Sequence, residues 1–261
     1  MRKLLFEIAY QGRNYHGYQV QENARTVAET LQDAIEMVWK KREDIVGCSR
    51  TDAGVHANQY FFHMVTEHTI PVKAAVIALN NMLPDDIAVL SCREVPMDFH
   101  ARYSVSAKEY LYKIWDAPVR NPFLDGLALH YRHRLNEGLL HQCAQEFLGG
   151  HDFIGFCSAG GKTHDTFRHI YETSVTRQGD LVEFRVKGDG FLYNMVRIMV
   201  GTLLLADLGK LQQGDITRIL AAKDRTAAGI TASPAGLYLN RVFYPAESLT
   251  GGCCEKESTK I

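Results

Sequence analysis

The chain has 261 residues, 46% of them hydrophobic and 23% charged, an ordinary balance for a folded globular protein that leaves no disordered bulk. Its 29 Lys plus Arg against 30 Asp plus Glu, with a pI near 6.8, exclude a uniformly basic nucleic-acid binder. No apolar run approaches the roughly 18 residues that span a bilayer, and six cysteines without CxxC pairs fit neither a zinc ribbon nor a secreted disulfide scaffold.

Met1-Arg2-Lys3 leads directly into Leu4-Leu5-Phe6-Glu7-Ile8-Ala9-Tyr10, which reads as a strand over residues 3–10 and not as a signal peptide, so a cytoplasmic location is expected. A polar, aromatic loop follows. Thr26 and Glu29 then form a capping box, and Val27, Leu31, Ala34, Ile35 and Val38 recur at helical spacing to give that helix one apolar face. Beyond a turn of small residues at 49–57, the chain reads as a strand at 60–65, a helix from Pro71 to about residue 82, and a strand at 87–95.

The second half opens on the alternating strand 109–115 and a turn-rich stretch around Pro118, Pro122 and Gly126. A helix near 136–148 is stopped by Gly149-Gly150, strands 170–177 and 181–187 flank the hairpin loop Gln178-Gly179-Asp180, and a long apolar helix is expected over 191–208. A shorter helix at 215–222 and a last strand at 236–243 complete the order. The expected organisation is an N-terminal α/β half at 1–105, a C-terminal α/β half at 106–245, and a disordered tail at 246–261. Each half holds the ingredients of a ferredoxin-like α+β unit, helices covering one side of an antiparallel sheet, with no residue-level repeat between the halves.

The run Ser49-Arg50-Thr51-Asp52-Ala53-Gly54-Val55-His56-Ala57 carries the clearest chemistry. Asp52 lies among residues of little bulk, open to the approach of a planar ring, and Arg50 can bond phosphate or stack on a base. By spacing alone the same pattern is also a surface turn in which an Asp caps its own backbone. Eleven histidines show no HxxxH or HExxH spacing, and neither GxGxxG nor GxxxxGK[ST] occurs, so no metal and no nucleotide cofactor are expected. The adjacent Cys253 and Cys254 fall in the polar tail and read as free thiols.

The run 49–57 resembles the catalytic motif of the tRNA pseudouridine synthase A family, Gly-Arg-Thr-Asp-Ala-Gly-Val-His-Ala, with only Ser49 departing from it. Further blocks follow in that family's order: residues 10–12 with 15–19, then 99–104, 108–112, 151–153, 190–201 and 235–239, nearly the whole chain up to Pro245. The resemblance implies a pseudouridine synthase fold, two ferredoxin-like halves whose antiparallel sheets adjoin around a central cleft, and a homodimer. It implies isomerisation of uridine to pseudouridine in the anticodon stem-loop of tRNA, at positions 38–40, without a cofactor. It assigns Asp52 as the nucleophile, attacking either the ribose anomeric carbon or the uracil ring, with Tyr110 and Arg197 as its catalytic companions.

The resemblance makes Arg197 the cation that opposes the Asp52 charge; read from the residues, a lone Arg on an apolar helix points to a buried ion pair in preference to a snorkelling position at the helix edge. Tyr110 shares a strand face with Tyr112, where core packing is the plain explanation; the resemblance makes Tyr110 a stacking partner for the uracil and Leu237 an apolar platform under it. His56 is expected to orient the loop. Arg50 is expected to fill the gap left by a flipped base, and Arg13, Arg25, Arg102 and Lys108 to contact RNA phosphates. For such contacts the neutral overall charge requires the basic residues to gather in a cleft.

Overall fold

The computed structural model describes residues 1–160 and 165–250. Among them, ten strands form one sheet: β1 (Arg2–Tyr10), β2 (Ile45–Gly47), β3 (His56–Thr66), β4 (Ile87–Val95), β5 (Ala107–Trp115), β6 (Leu129–His130), β7 (Gly149–Asp152), β8 (Phe167–Gln178), β9 (Leu181–Gly188) and β10 (Leu237–Phe243). The helices are α1 (Val27–Trp39), α2 (Val72–Asn80), α3 (Glu137–Gln145), α4 (Met195–Asp207), α5 (Asp215–Ala222) and α6 (Ala246–Thr250). The sheet runs β4-β1-β3-β10-β5-β9-β8-β7, with β2 beside β3 and β6 beside β5.

This order resolves into two units of one plan. The chain order β1-α1-β2-β3-α2-β4 lays out as β4-β1-β3-β2, and β5-α3-β8-β9-α4-β10 lays out as β10-β5-β9-β8, with β7 added at the edge. Each is a ferredoxin-like arrangement, antiparallel within itself. In the first unit the alternation of β1 puts Phe6 in a stack with Phe62 at 4.9 Å and edge-on to Trp39 of α1 at 6.4 Å. The N-cap half of the box forms, Thr26 Oγ1 accepting a bond from the Glu29 N–H at 3.3 Å, while among the described residues the Glu29 side chain makes no return bond; Val27, Leu31, Ala34 and Ile35 are buried. The valine, leucine and isoleucine side chains each contribute roughly 1.5–3 kcal/mol when fully buried.

The two units join through β10, which is last in the chain but lies in the middle of the sheet. It pairs antiparallel with β5 and parallel with β3, where Tyr238 faces His56 and Leu239 faces Ala57. There is room for it because β2 covers β3 only from Phe62 to Met64. The first residues of β3 would otherwise be an open edge, and a strand from the other unit takes their backbone groups.

α4 begins later than its apolar pattern suggests, because Asn194 adopts a left-handed conformation with φ 60°. Its Gly201 then lies against the backbone of the chain on its way to β10, so close that a Cβ there would come 1.8 Å from the Ile230 carbonyl oxygen. Thr202 Oγ1 accepts from the Gly229 N–H at 2.9 Å and donates to the Ile198 carbonyl at 2.8 Å, and the Ala232 N–H donates to the Arg197 carbonyl at 3.1 Å. Residues 229–232 are thereby fastened along α4.

Where a disordered tail was expected from residue 246, Ala246–Thr250 are helical; residues 251–261, with Cys253 and Cys254, lie outside the described part. Cys48, Cys92, Cys143 and Cys157 are free thiols. No described helix is long and apolar enough to cross a membrane.

Gly201→Ala is expected to cost about 1–3 kcal/mol through overpacking against the Ile230 carbonyl. Gly138→Ala in α3, whose new Cβ would find its nearest neighbour at an ordinary 3.5 Å, should instead stabilise by up to about 1 kcal/mol. Urea unfolding of both variants beside the parent measures the contrast.

Candidate active site at the joint of the two units

The loop between β2 and β3 emerges where the second unit docks, and residues 10–18 hold it from below. Tyr10 Oη and Thr51 Oγ1 are 2.8 Å apart, the Tyr18 N–H donates to the Thr51 carbonyl at 3.2 Å, and the Gly54 N–H donates to the Tyr15 carbonyl at 3.1 Å. The Gly12 N–H donates to His56 Nδ1 at 3.1 Å. Close backbone contact explains the glycines of this block. A Cβ on Gly12 would sit 1.9 Å from the Val55 carbonyl oxygen, and one on Gly17, at φ +89°, would sit 2.6 Å from the Thr51 carbonyl oxygen. His56 is fully buried, stacked at 4.6 Å on Tyr238 of β10, and burial holds its pKa below the usual imidazole value. A neutral His56 accepting at Nδ1 orients the loop, as the sequence reading expected.

Asp52 stands at the crest of this loop, half-buried, and lines a cavity of about 540 Å³. The opposite wall comes from the second unit: Tyr110 of β5, Leu237 at the head of β10, and residues 191–196 leading into α4. Tyr110 meets the edge of Phe191 with ring centroids 5.0 Å apart, and Leu237 is buried under the cavity. Among the described residues nothing donates a hydrogen bond to the Asp52 carboxylate or pairs with it within 4.0 Å, so Asp52 is not capping its own backbone.

Arg197 does not form the expected ion pair. Its Nε donates to the Ala232 carbonyl at 2.6 Å and its Nη1 to Asn194 Oδ1 at 2.7 Å, which fixes the guanidinium short of Asp52. Its charge still acts through space. Burial raises the Asp52 carboxyl above its ordinary value, and the Arg197 cation pulls it part of the way back. Burial also pushes the Tyr110 hydroxyl well up, so it is protonated at neutral pH.

Three cations share the cavity with this one carboxylate: Arg50, Arg102 and Lys108. None of the three is in an ion pair among the described residues. Lys108 donates to Ser49 Oγ at 3.3 Å, and its pKa is lowered by burial first and then by the charges of Arg102 and Arg168. Sequence reasoning missed Arg168, whose guanidinium lies beside Gly190, since nothing in the order of residues ties β8 to this cleft. It also gave no role to Phe191, Asn194 or His16, which line the cavity. Their presence in the matched blocks was the available signal.

Arg13 and Arg25 are not part of the cavity wall. Arg13 Nη2 pairs with Asp125 at 2.9 Å on the surface, and the Arg25 guanidinium lies 5.2 Å above the Tyr15 ring. No group of three or more His, Cys, Asp or Glu suited to a metal occurs among the described residues.

Fold and site together define a class: an α+β protein of two fused ferredoxin-like units, with a single carboxylate set in a cation-lined cleft at their joint. A family model described as tRNA pseudouridine synthase matches residues 8–104 and 143–245. A protein named tRNA pseudouridine synthase A from Ruminiclostridium cellulolyticum is 43% identical over 245 residues, covering 94% of this chain and 100% of its own. Its namesake from Acetivibrio thermocellus is 42% identical, with 94% and 100% covered, and that from Staphylococcus aureus 39% identical, with 95% and 92% covered. The chain belongs to the tRNA pseudouridine synthase family.

The raised Asp52 pKa has a consequence for stability. A carboxyl with a higher pKa folded than unfolded favours the fold least when ionised; this cost is absent below the unfolded value, near 3.8, and complete above the folded one. Asp52→Asn is therefore expected to raise Tm at pH 7, with the gain shrinking as the pH falls toward 4. Calorimetry across that range measures it, and carboxyl-carbon NMR titration of Asp52 should show its pKa rising further in Arg197→Met.

Proposed function

We propose that the protein isomerises uridine to pseudouridine in the anticodon stem-loop of tRNA, at positions 38–40, with Asp52 as nucleophile. One observation carries this reading: the Asp52 carboxylate of the first unit, unpartnered among the described residues, shares with Tyr110 and Leu237 of the second a cavity whose other described charges are cations. The reaction breaks the bond between N1 of uracil and the ribose anomeric carbon, turns the ring, and rejoins it through C5. C5 loses a proton and N1 gains one, so the change is redox-neutral and asks for no cofactor.

The geometry supports a division of labour. Asp52, ionised and without a hydrogen-bond donor among the described residues, attacks either the anomeric carbon or the uracil ring, and both routes need the same accessible carboxylate. Arg197 keeps Asp52 ionised from a distance, and its bonds to Ala232 and Asn194 leave it a fixed source of field that does not have to reorganise during the reaction. Tyr110 stacks on the uracil and Leu237 supports it from below. The raised pKa of Tyr110 suits a hydroxyl that hydrogen-bonds the base as a neutral group.

The target base must leave its stack, at a cost of a few kcal/mol. Arg50, exposed beside Asp52, is placed to fill the gap. Arg102 and Lys108 contact phosphate at the cavity, and Arg13 and Arg25 extend that path over the surface. The Arg13 pair with Asp125 is no obstacle, since an exposed pair is worth only about 0–1 kcal/mol and exchanges readily for a phosphate. Residues 1–105 and 106–245 form the two walls of the cleft, the active species is a homodimer, and the reaction takes place in the cytoplasm.

Carbodiimide primer extension on an unmodified tRNA transcript should show stops in the anticodon arm with wild type and none with Asp52→Asn, whose tRNA affinity stays within a few fold. Appreciable turnover by Asp52→Asn would refute the nucleophile assignment. Arg50→Ala should slow single-turnover conversion, and sedimentation equilibrium reports the dimer.

A further inference from the structure

Residues 100–103, which open one wall of the cleft, form a tight turn that displays a single aromatic ring. His100 organises it. The His100 N–H donates to Ser104 Oγ at 3.1 Å, the Ser104 N–H returns a bond to the His100 carbonyl at 2.9 Å, and His100 Nδ1 accepts from the N–H groups of Arg102 and Tyr103 at 3.2 and 3.3 Å. The turn is anchored to the sheet by the Ala101 N–H on His63 Nδ1 at 3.0 Å and by Tyr244 Oη on the Ala101 carbonyl at 2.6 Å. On this base the Tyr103 ring stacks against the His100 ring, centroids 4.3 Å apart and planes 30° apart.

Tyr103 is nevertheless 76% exposed. A tyrosine backed by a second ring, on a turn held by six hydrogen bonds, has already lost its conformational freedom without burying its surface. Its neighbour Arg102 lines the cavity that holds Asp52 and places its guanidinium 5.8 Å from the Tyr103 ring centroid. A flat ring, a planar cation beside it and a cationic cleft next to both make the combination that receives an unpaired base and its phosphate.

We propose that Tyr103 is a stacking platform for an unpaired RNA base neighbouring the uridine that enters the cavity, with Arg102 neutralising the phosphate between the two nucleotides. This rests on the RNA-modifying reading above and deepens it by adding a second base subsite. The base on Tyr103 is held by its face, so any of the four bases fits. His100 acts as a positioning residue behind the ring; burial and the nearby Lys3 and Arg102 cations lower its pKa, so it stacks as a neutral imidazole.

Direct binding of an unmodified anticodon-arm transcript, followed by fluorescence anisotropy, tests the proposal. Tyr103→Ala should weaken binding on the order of tenfold, with the loss falling on KM more than on kcat, while Tyr103→Phe and Tyr103→Trp restore affinity. The emission of Tyr103→Trp, measured above the two native tryptophans, should be quenched when the RNA binds. Wild type that binds and modifies the transcript, together with unchanged affinity in Tyr103→Ala or unmoved emission in Tyr103→Trp, would overturn the stacking platform alone. Wild type that neither binds nor modifies would overturn the parent reading with it. A change of oligomeric state in Tyr103→Ala would assign the ring to a protein interface and also overturn the proposal.

Discussion

The site depends on an edge that β3 leaves unpaired. A three-residue β2 satisfies only the far part of that strand, and the backbone groups at His56 and Ala57 then need another partner. β10 provides it, and three consequences follow from that one pairing. The β2–β3 loop, with Asp52 at its crest, emerges against the second unit; β5 is drawn in behind β10 with Tyr110; and Leu237, the first residue of β10, comes to lie under both. Asp52 and the Tyr110 and Leu237 that share the cavity with it are far apart in sequence. They meet because β10 joins the strands of the two units into one sheet.

Within that frame the carboxylate is held by restraint of the backbone and not by bonds to its oxygens. The loop is fastened through Thr51, Gly54 and His56 to residues 10–18, while the Asp52 side chain itself has no donor among the described residues. Hydrogen bonds to the carboxylate would lower its pKa. Burial raises it instead, and the Arg197 cation offsets part of that rise from a position fixed by Ala232 and Asn194. The near-zero net charge of the chain ceases to be an objection at this scale. Elsewhere basic side chains such as Arg42, Arg134 and Arg177 are paired with carboxylates, whereas Arg50, Arg102 and Lys108 in the cleft have no such pair among the described residues.

How much of this was legible in the sequence divides along the range of the interactions involved. The strand 87–95, the Thr26 cap and the helix at 215–222 were readable because a cap, a turn and an apolar period are local properties. That β10 would lie mid-sheet was not, since its pairing with β3 joins residues some 180 positions apart and nothing in its own pattern marks it as central. The start of α4 was misplaced because apolar periodicity runs through Phe191 and Leu192, while the left-handed turn at Asn194 that begins the helix carries no hydrophobic signal. The absent ion pair has the same origin. Arg197 was correctly read as a cation in need of partners, but the Ala232 carbonyl that claims it is brought there by the Gly201 and Gly229 contact, which no motif reports.

The single departure from the family motif, Ser49, bears on whether the site is intact. Glycine is indispensable only where φ is positive or where a neighbouring backbone approaches too closely for a Cβ. Among the described residues the non-glycine positions with positive φ are Lys40, Asn194 and Lys223, so Ser49 sits in a conformation that any residue adopts. Its carbonyl accepts a bond from Tyr60 Oη at 2.5 Å, an interaction of the backbone that glycine and serine share. The added hydroxyl lies on the cavity wall, accepting from Lys108 and donating to the Arg50 carbonyl at 3.3 Å. The substitution therefore leaves the path of the loop unchanged and adds a restraint on the half-buried lysine. A change of this kind adjusts the placement of a cation in the cleft, and it supplies no physical ground for a protein that grips RNA without acting on it.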